Sequence, residues 1–334
     1  MFRGDINVAA SIVNAALVAQ LNHITTAHFP ADGGLRAEQA VGPIDFVADT
    51  GDIANREELA GKIQSADLSW SQFRRDYIEN LKLTGPDGKK TALYVVPGNH
   101  DVSNAIGYYK PLFPAIDKTS MVEIFNLMLA PAVRKTAATY EYPRDRIMVS
   151  HDLAGVHFVY LTIWPDGNTR EWLEDDLRKV RSDTPVVLFT HDPPDGDSKH
   201  FKNPNGKHDI NPTDQFENLL GDTFADLKSE EMALENFFHR HPNIRAYFHG
   251  HNNWNEYYDW TGPNHTVRIH TFRVDSPMKG KYSAMDETKL SFQAAVIDPA
   301  ARTLTVREVL WNAHPERSDQ QLVWGASTTV SLKN

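Results

Sequence analysis

Thr91-Ala92-Leu93-Tyr94-Val95-Val96-Pro97-Gly98-Asn99-His100-Asp101 runs from an apolar segment directly into three adjacent polar side chains. A short apolar run closed by Pro and Gly reads as a buried strand. Asn, His and Asp placed together behind it are a poor choice for a mere turn, since each brings a donor or acceptor suited to binding. Working outward, Ile44 to Ala48, Val156 to Ile163, Pro185 to Thr190 and Ile244 to Phe248 read as further strands. Helical spacing lies between them. It appears at Ile12, Val13, Ala16, Leu17 and Leu21 within Ala10 to Leu21, and at Phe73, Tyr77 and Leu81 within Leu68 to Leu83. Thr169 to Val180 repeats it with Trp172, Leu173 and Leu177. Strand and helix alternate, so the fold class is α/β.

Beyond residue 266 the pattern becomes strand after strand: Thr266 to Val274, Phe292 to Asp298 and Thr303 to Trp311, the last two forming a hairpin around Pro299-Ala300-Ala301. Stretches 103–146 and 193–235 are dense in Pro, Gly, Asn and Asp and read as loop-rich insertions behind strand ends. Long ordered loops of this kind are often functional. With no internal repeat and no low-complexity tract, residues 1–334 are expected to form a single domain.

A hydrophobic fraction of 41% supports a packed core, and the net charge is -10. The basic residues are scattered rather than gathered into the stripe a phosphate backbone demands, so nucleic acid is not an expected partner. No run approaches the roughly 20 apolar residues of a membrane span. The opening Met1-Phe2-Arg3-Gly4-Asp5 has no basic-then-apolar signal segment. A soluble protein is expected, with compartment and oligomeric state unassigned. Cysteine is absent, which excludes disulfides, thiolate nucleophiles and zinc-thiolate sites. Any metal must therefore be held by His, Asp, Glu or Asn.

In open α/β sheets, ligands gather beyond the carboxyl ends of the strands. The residues found there are Gly51-Asp52, Gly98-Asn99-His100-Asp101, His191-Asp192 and His249-Gly250-His251, with Gly4-Asp5-Ile6-Asn7 near the start. Singly these are weak signals, because Gly-Asp is a common turn and a lone His is often a hydrogen-bonded loop residue. Their joint order is the strong one.

That order resembles the calcineurin-like metallophosphoesterases, whose motifs run Asp-x-His, Gly-Asp, Gly-Asn-His-Asp/Glu, a single His, then Gly-His-x-His. The resemblance extends from Asp5 to Asn253 and implies a four-layer α/β/β/α sandwich with two central mixed sheets. It implies one or two divalent ions (Mn, Fe or Zn) and hydrolysis of a small phosphoester, diester or monoester, by metal-activated water. Carried over residue by residue, Asp52 bridges two metals, and Asn99, His191 and His251 complete the second site. His100 faces substrate, oriented by Asp101. The first site falls to Asp5, Asn7 and Asn253, and here the chain departs from the family, offering Asn7 and Asn253 where imidazoles belong. A neutral amide is a poorer donor than imidazole for these metals, so the first site is expected to be the weaker. The other reading is a non-catalytic metal-binding scaffold of the same fold.

Thr26-Ala27-His28 rivals Asp5-Ile6-Asn7 for the first motif. Asp5 is preferred because helix spacing follows it directly, whereas His28 to Ile44 leaves little room for a crossover. His249 reads as a structural neighbour of the site, and His200 and His208 as loop residues. The aromatic group Trp254, Tyr257, Tyr258 and Trp260 reads either as core or as a pocket wall.

Overall fold

The computed structural model describes residues 9–54, 64–107, 116–201, 217–220, 227–277, 280–317 and 322–333. β1 (Phe46–Asp49) and β2 (Ala92–Val95) pair in parallel. β3 (Met148–Leu153), β4 (Val156–Leu161), β5 (Val186–Phe189), β6 (Ile244–His249), β7 (Glu256–Trp260) and β8 (Ile269–Arg273) form a mixed sheet in the order β3-β4-β5-β6-β8-β7. β9 (Ser291–Asp298), β10 (Thr303–Leu310) and β11 (Val323–Ser331) form an antiparallel sheet in the order β11-β10-β9.

Alternation along each strand assigns the layers. Phe158 and Phe189 of the six-stranded sheet meet Phe46 of β1 edge-on, at 5.1 and 6.1 Å between ring centroids. Leu304, Val306 and Val330 of β10 and β11 close the same inter-sheet core. On the other face of the six-stranded sheet, Val159, Leu161, Leu188 and Tyr247 pack with Leu173 and Leu177 of α5 (Gly167–Leu177) and with Leu234, Phe237 and Phe238 of α6 (Leu227–Arg240). Val96 points into the inter-sheet core, and Val95 joins the helical side. There α1 (Ala10–Leu21), α2 (Ala66–Phe73), α3 (Asn99–Ile106) and α4 (Thr119–Leu129) gather, with α4 packed on α2, α3 and β2. The result is a mixed α/β sandwich of helix, sheet, sheet and helix layers.

Helix α1 spans the residues its spacing predicts. The helix expected from Leu68 starts earlier, because the Ser65 side chain accepts from Leu68 N, and it continues past Phe73 as a π-helical turn, Arg74–Glu79. Stretch 103–146 is less loop-like than its composition: Met121, Val122, Ile124 and Phe125 give α4 a buried face. Stretch 193–235 likewise contains the start of α6. Among the described residues no helix is long and apolar enough to cross a membrane.

The sandwich is open between β1 and β9. Among the described residues β1 pairs only with β2, and β9 only with β10. The unpaired strands line a common cavity of about 1030 Å³, which takes in Phe46 to Asp52, Phe292 to Ile297, and Ala10, Leu17 and Leu21 of α1.

Candidate metal centre

The turn after β1 and the start of α3 hold each other. The Asp101 carboxylate accepts from Asp52 N at 2.9 Å, Ile53 N at 3.2 Å, Ala54 N at 2.9 Å and Gly98 N at 2.9 Å. In return Asp52 Oδ1 accepts from His100 N at 3.0 Å. The approach is so close that a Cβ at Gly98 would stand 2.2 Å from Asp52 Oδ1, and one at Gly51 2.4 Å from Gly98 N. Only glycine fits either position. Burial and the neighbouring Asp52 charge push Asp101 up to about 7, while its amide partners pull the other way. Asp101 does not orient His100, as the motif reading expects. Its hydrogen bonds go to backbone amides, three on Oδ2 and one on Oδ1, so it positions the turn that carries Asp52.

His191, behind β5, contacts the Thr50 carbonyl through Nδ1 at 2.6 Å. Since a carbonyl only accepts, the proton belongs on Nδ1, and the Nε2 lone pair is turned inward. Nε2 lies 3.1 Å from Asn99 Oδ1 and 3.6 Å from Asp52 Oδ1. Three acceptor atoms thus face one another, an arrangement that a cation relieves. The donor set of a carboxylate, an amide oxygen and an imidazole suits a divalent ion.

His251 completes this side, its ring edge-on to His191 at 5.2 Å. Its Nε2 lies 3.0 Å from Asp197 Oδ2 and its Nδ1 3.9 Å from Asp192 Oδ1. Burial lowers its pKa, favouring the neutral ring that has a lone pair to offer. Asp52, His251 and Asn253 have φ of 63°, 62° and 51°, in the left-handed region. Such backbone costs a non-glycine residue about 1–3 kcal/mol and clusters at functional sites. A polar cleft of about 310 Å³ is lined by Asp52, Asn99, His100, His251 and Asn253, together with Asp197 and Lys199. The His100 ring stands 3.9 Å from Asp52 Oδ2 at the cleft wall.

Asp52, Asn99, His100, Asp101, His191 and His251 therefore meet in one place, with Asn253 at its edge, while Asp5, Asn7 and His208 lie outside the described residues. The rival His28 sits by β11, its carbonyl accepting from Trp324 Nε1 at 2.8 Å. His200 is not a solvated loop residue: it is buried, with Nδ1 2.7 Å from Asp192 Oδ2. His249 contacts the Gly250 carbonyl and the Tyr258 hydroxyl, and burial drives its pKa to about 3. The aromatic group belongs to β7 and its approach, where Trp254 stacks on Arg273 at 3.9 Å, and it lines neither cavity. Sequence reading missed Asp197 and Lys199. The signal available was their place in the loop leaving a strand that ends in His191-Asp192.

Donors collected at the carboxyl ends of β1, β2, β5 and β6 in a four-layer sandwich define an α/β protein built around a strand-end ligand site. The chain belongs to the calcineurin-like phosphoesterase family, whose model matches residues 20–272. The match takes in Asp52 through Asn253 and begins after Asp5 and Asn7. No curated protein sequence matches the chain. Among solved structures it is similar to a dimetal phosphatase from Danio rerio, at 10% identity over 97% of this chain and 89% of that one, with a TM-score of 0.47. It is also similar to a single mutant of Vps29 from Entamoeba histolytica, at 10% identity, 97% and 94% coverage and a TM-score of 0.33. A third is the phosphopantetheinyl hydrolase of Mycobacterium tuberculosis, at 15% identity, 71% and 82% coverage and a TM-score of 0.33.

Proposed function

We propose that this chain is a metal-dependent hydrolase of small phosphoesters, acting on a diester or a monoester. The observation that carries the reading is the convergence of His191 Nε2, Asn99 Oδ1 and Asp52 Oδ1 beside His100 and an open cleft. Asp52, Asn99, His191 and His251 would hold one divalent ion, Mn, Fe or Zn. The chemistry supplied by such an ion when bound is Lewis acidity toward water and phosphoryl oxygen.

The remaining work falls to the protein. Asp101 fixes the turn that presents Asp52, and the Thr50 carbonyl sets the His191 tautomer. His100, protonated, would give its proton to the leaving oxygen as the phosphorus–oxygen bond breaks, while the water oxygen takes its place on phosphorus and the proton that water loses passes to solvent. General-acid help of this kind is worth about 10²–10⁴-fold.

Asp5, Asn7 and Asn253 are assigned to a weaker first site next to Asp52. The cavity between β1 and β9 supports this, since it begins at Ala10 and ends at Asp52, His251 and Asn253. Metal content of the purified protein, measured with turnover of bis-p-nitrophenyl phosphate and p-nitrophenyl phosphate, tests the reading. Bound metal with turnover is expected. Bound metal without turnover of either ester would make the chain a metal-binding scaffold, and no metal uptake would remove the reading altogether.

A further inference from the structure

We infer that Asp192 is a further ligand of the bound cation, beside His191 and His251. The inference rests on the metal centre proposed above. Asp192 is fully buried, and one of its oxygens, Oδ2, is held 2.7 Å from His200 Nδ1. The other, Oδ1, has no hydrogen-bond partner among the described residues. A buried polar atom left this way costs free energy, about 1–3 kcal/mol and more for a charged group, and among the described residues Asp192 Oδ1 is the one carboxylate oxygen so placed.

Its surroundings indicate the use. Oδ1 lies 3.9 Å from His251 Nδ1, too far for a hydrogen bond. Two donors that each stand about 2.0–2.2 Å from a single ion are separated by roughly 3–4.4 Å. His191, Asp192 and His251 offer ligand atoms that all lie within 4.8 Å of one another.

The neighbouring contacts fit the outer partners of such a site. Asp197 Oδ2, at 3.0 Å, holds the far nitrogen of His251, and His200 holds the far oxygen of Asp192. Outer partners of this sort orient ligands without touching the ion. Asp192 would add an anionic oxygen beside the two imidazoles. That addition favours hard ions such as Mn or Mg.

Calorimetric titration of wild type, Asp192→Asn and His200→Gln with Co(II) and Mn(II), joined to the visible spectrum of the Co(II) forms, separates ligand from outer partner. His200→Gln is expected to weaken binding by about 10–100-fold with the Co(II) spectrum unchanged. Asp192→Asn should weaken it at least as much and also alter the spectrum, because the ligand set itself changes. Unaltered affinity and spectrum in Asp192→Asn would overturn the assignment of Asp192 alone. A wild type that takes up neither ion would overturn the metal centre along with it. Should Asp192→Asn fail to fold, Asp192→Glu keeps the buried charge but moves the oxygen, and an unchanged Co(II) spectrum in that variant would be equally decisive.

Discussion

Two buried ionic groups in this chain differ in how their charge is met. On β10, Arg307 reaches Asp32 with Nε at 2.7 Å and Nη2 at 2.9 Å, and Nη2 also donates to the Leu35 carbonyl at 2.9 Å. Its guanidinium lies over the Phe29 ring, 4.5 Å from the centroid. At the carboxyl end of β5, by contrast, Asp192 has one oxygen without a partner, and three acceptor atoms of Asp52, Asn99 and His191 face one another. In the first place Asp32 supplies the opposite charge, although Arg307 Nη1 has no hydrogen-bond partner among the described residues. In the second it has gathered like electrostatics at a cost to folding, which a cation from outside would relieve.

The largest effect expected from attacking this contrast is on chemistry. His100→Asn should lower turnover by about 10²–10⁴-fold with metal uptake retained, and esters with acidic leaving groups should suffer less. Steady-state kinetics on a leaving-group series checks it, and equal losses across the series would assign His100 a different task.

On the self-sufficient side, Arg307→Met should leave metal uptake intact while destabilising the fold by about 3 kcal/mol. That is the low end for a broken buried pair, because Asp32 is partly open to water. Urea unfolding measures it.

Gly98→Ala brings the two regions into one experiment. The added Cβ collides with Asp52 itself, so a loss of about 1–3 kcal/mol should come with loss of metal uptake. A stable variant with normal uptake would show that the two loops are not tied as described.

The smallest effect is one of pH. The Arg307 hydrogen bonds hold the Asp32 carboxyl well below its ordinary value. A depressed folded pKa gives stability that is complete above the unfolded value of about 3.9 and is lost as pH falls through the folded one. The stability gap between wild type and Asp32→Asn should therefore be constant above about pH 5 and close progressively below pH 4.

Apolar runs were legible, and strands of mixed composition were not. Strands β1, β2, β4, β5 and β6 follow apolar runs read to within a residue or two, because most are covered on both faces. The strands that escaped notice, β3, β7 and β11, are edges of their sheets, as β1, β2 and β9 also are, but the latter three carry apolar runs. Met-Val-Ser-His-Asp-Leu, Glu-Tyr-Tyr-Asp-Trp and Val-Trp-Gly-Ala-Ser-Thr-Thr-Val-Ser mix polar and apolar residues, since a strand with one open side is under weaker demand to be apolar. The site divides similarly. Asp52, Asn99, His191 and His251 stand immediately behind readable strands, so order alone brought them together. Asp197, Lys199 and the partnership of His200 with Asp192 depend on the path of a loop, and loop path leaves no periodic trace in sequence. The role of Asp101 was misplaced for a related reason: a motif gives neighbours along the chain, whereas its four amide partners come mostly from residues some fifty positions earlier.

The left-handed backbone at Asp52, His251 and Asn253 bears on how this protein would respond to selection for heat resistance. Glycine relieves that conformation at each position while deleting the side chain that faces the cleft. A laboratory lineage selected for thermal survival alone would thus find some of its most accessible gains in dismantling the proposed ligand shell. Screens for hardier variants need to score metal uptake at every round, or they will enrich well-folded proteins that no longer hold an ion.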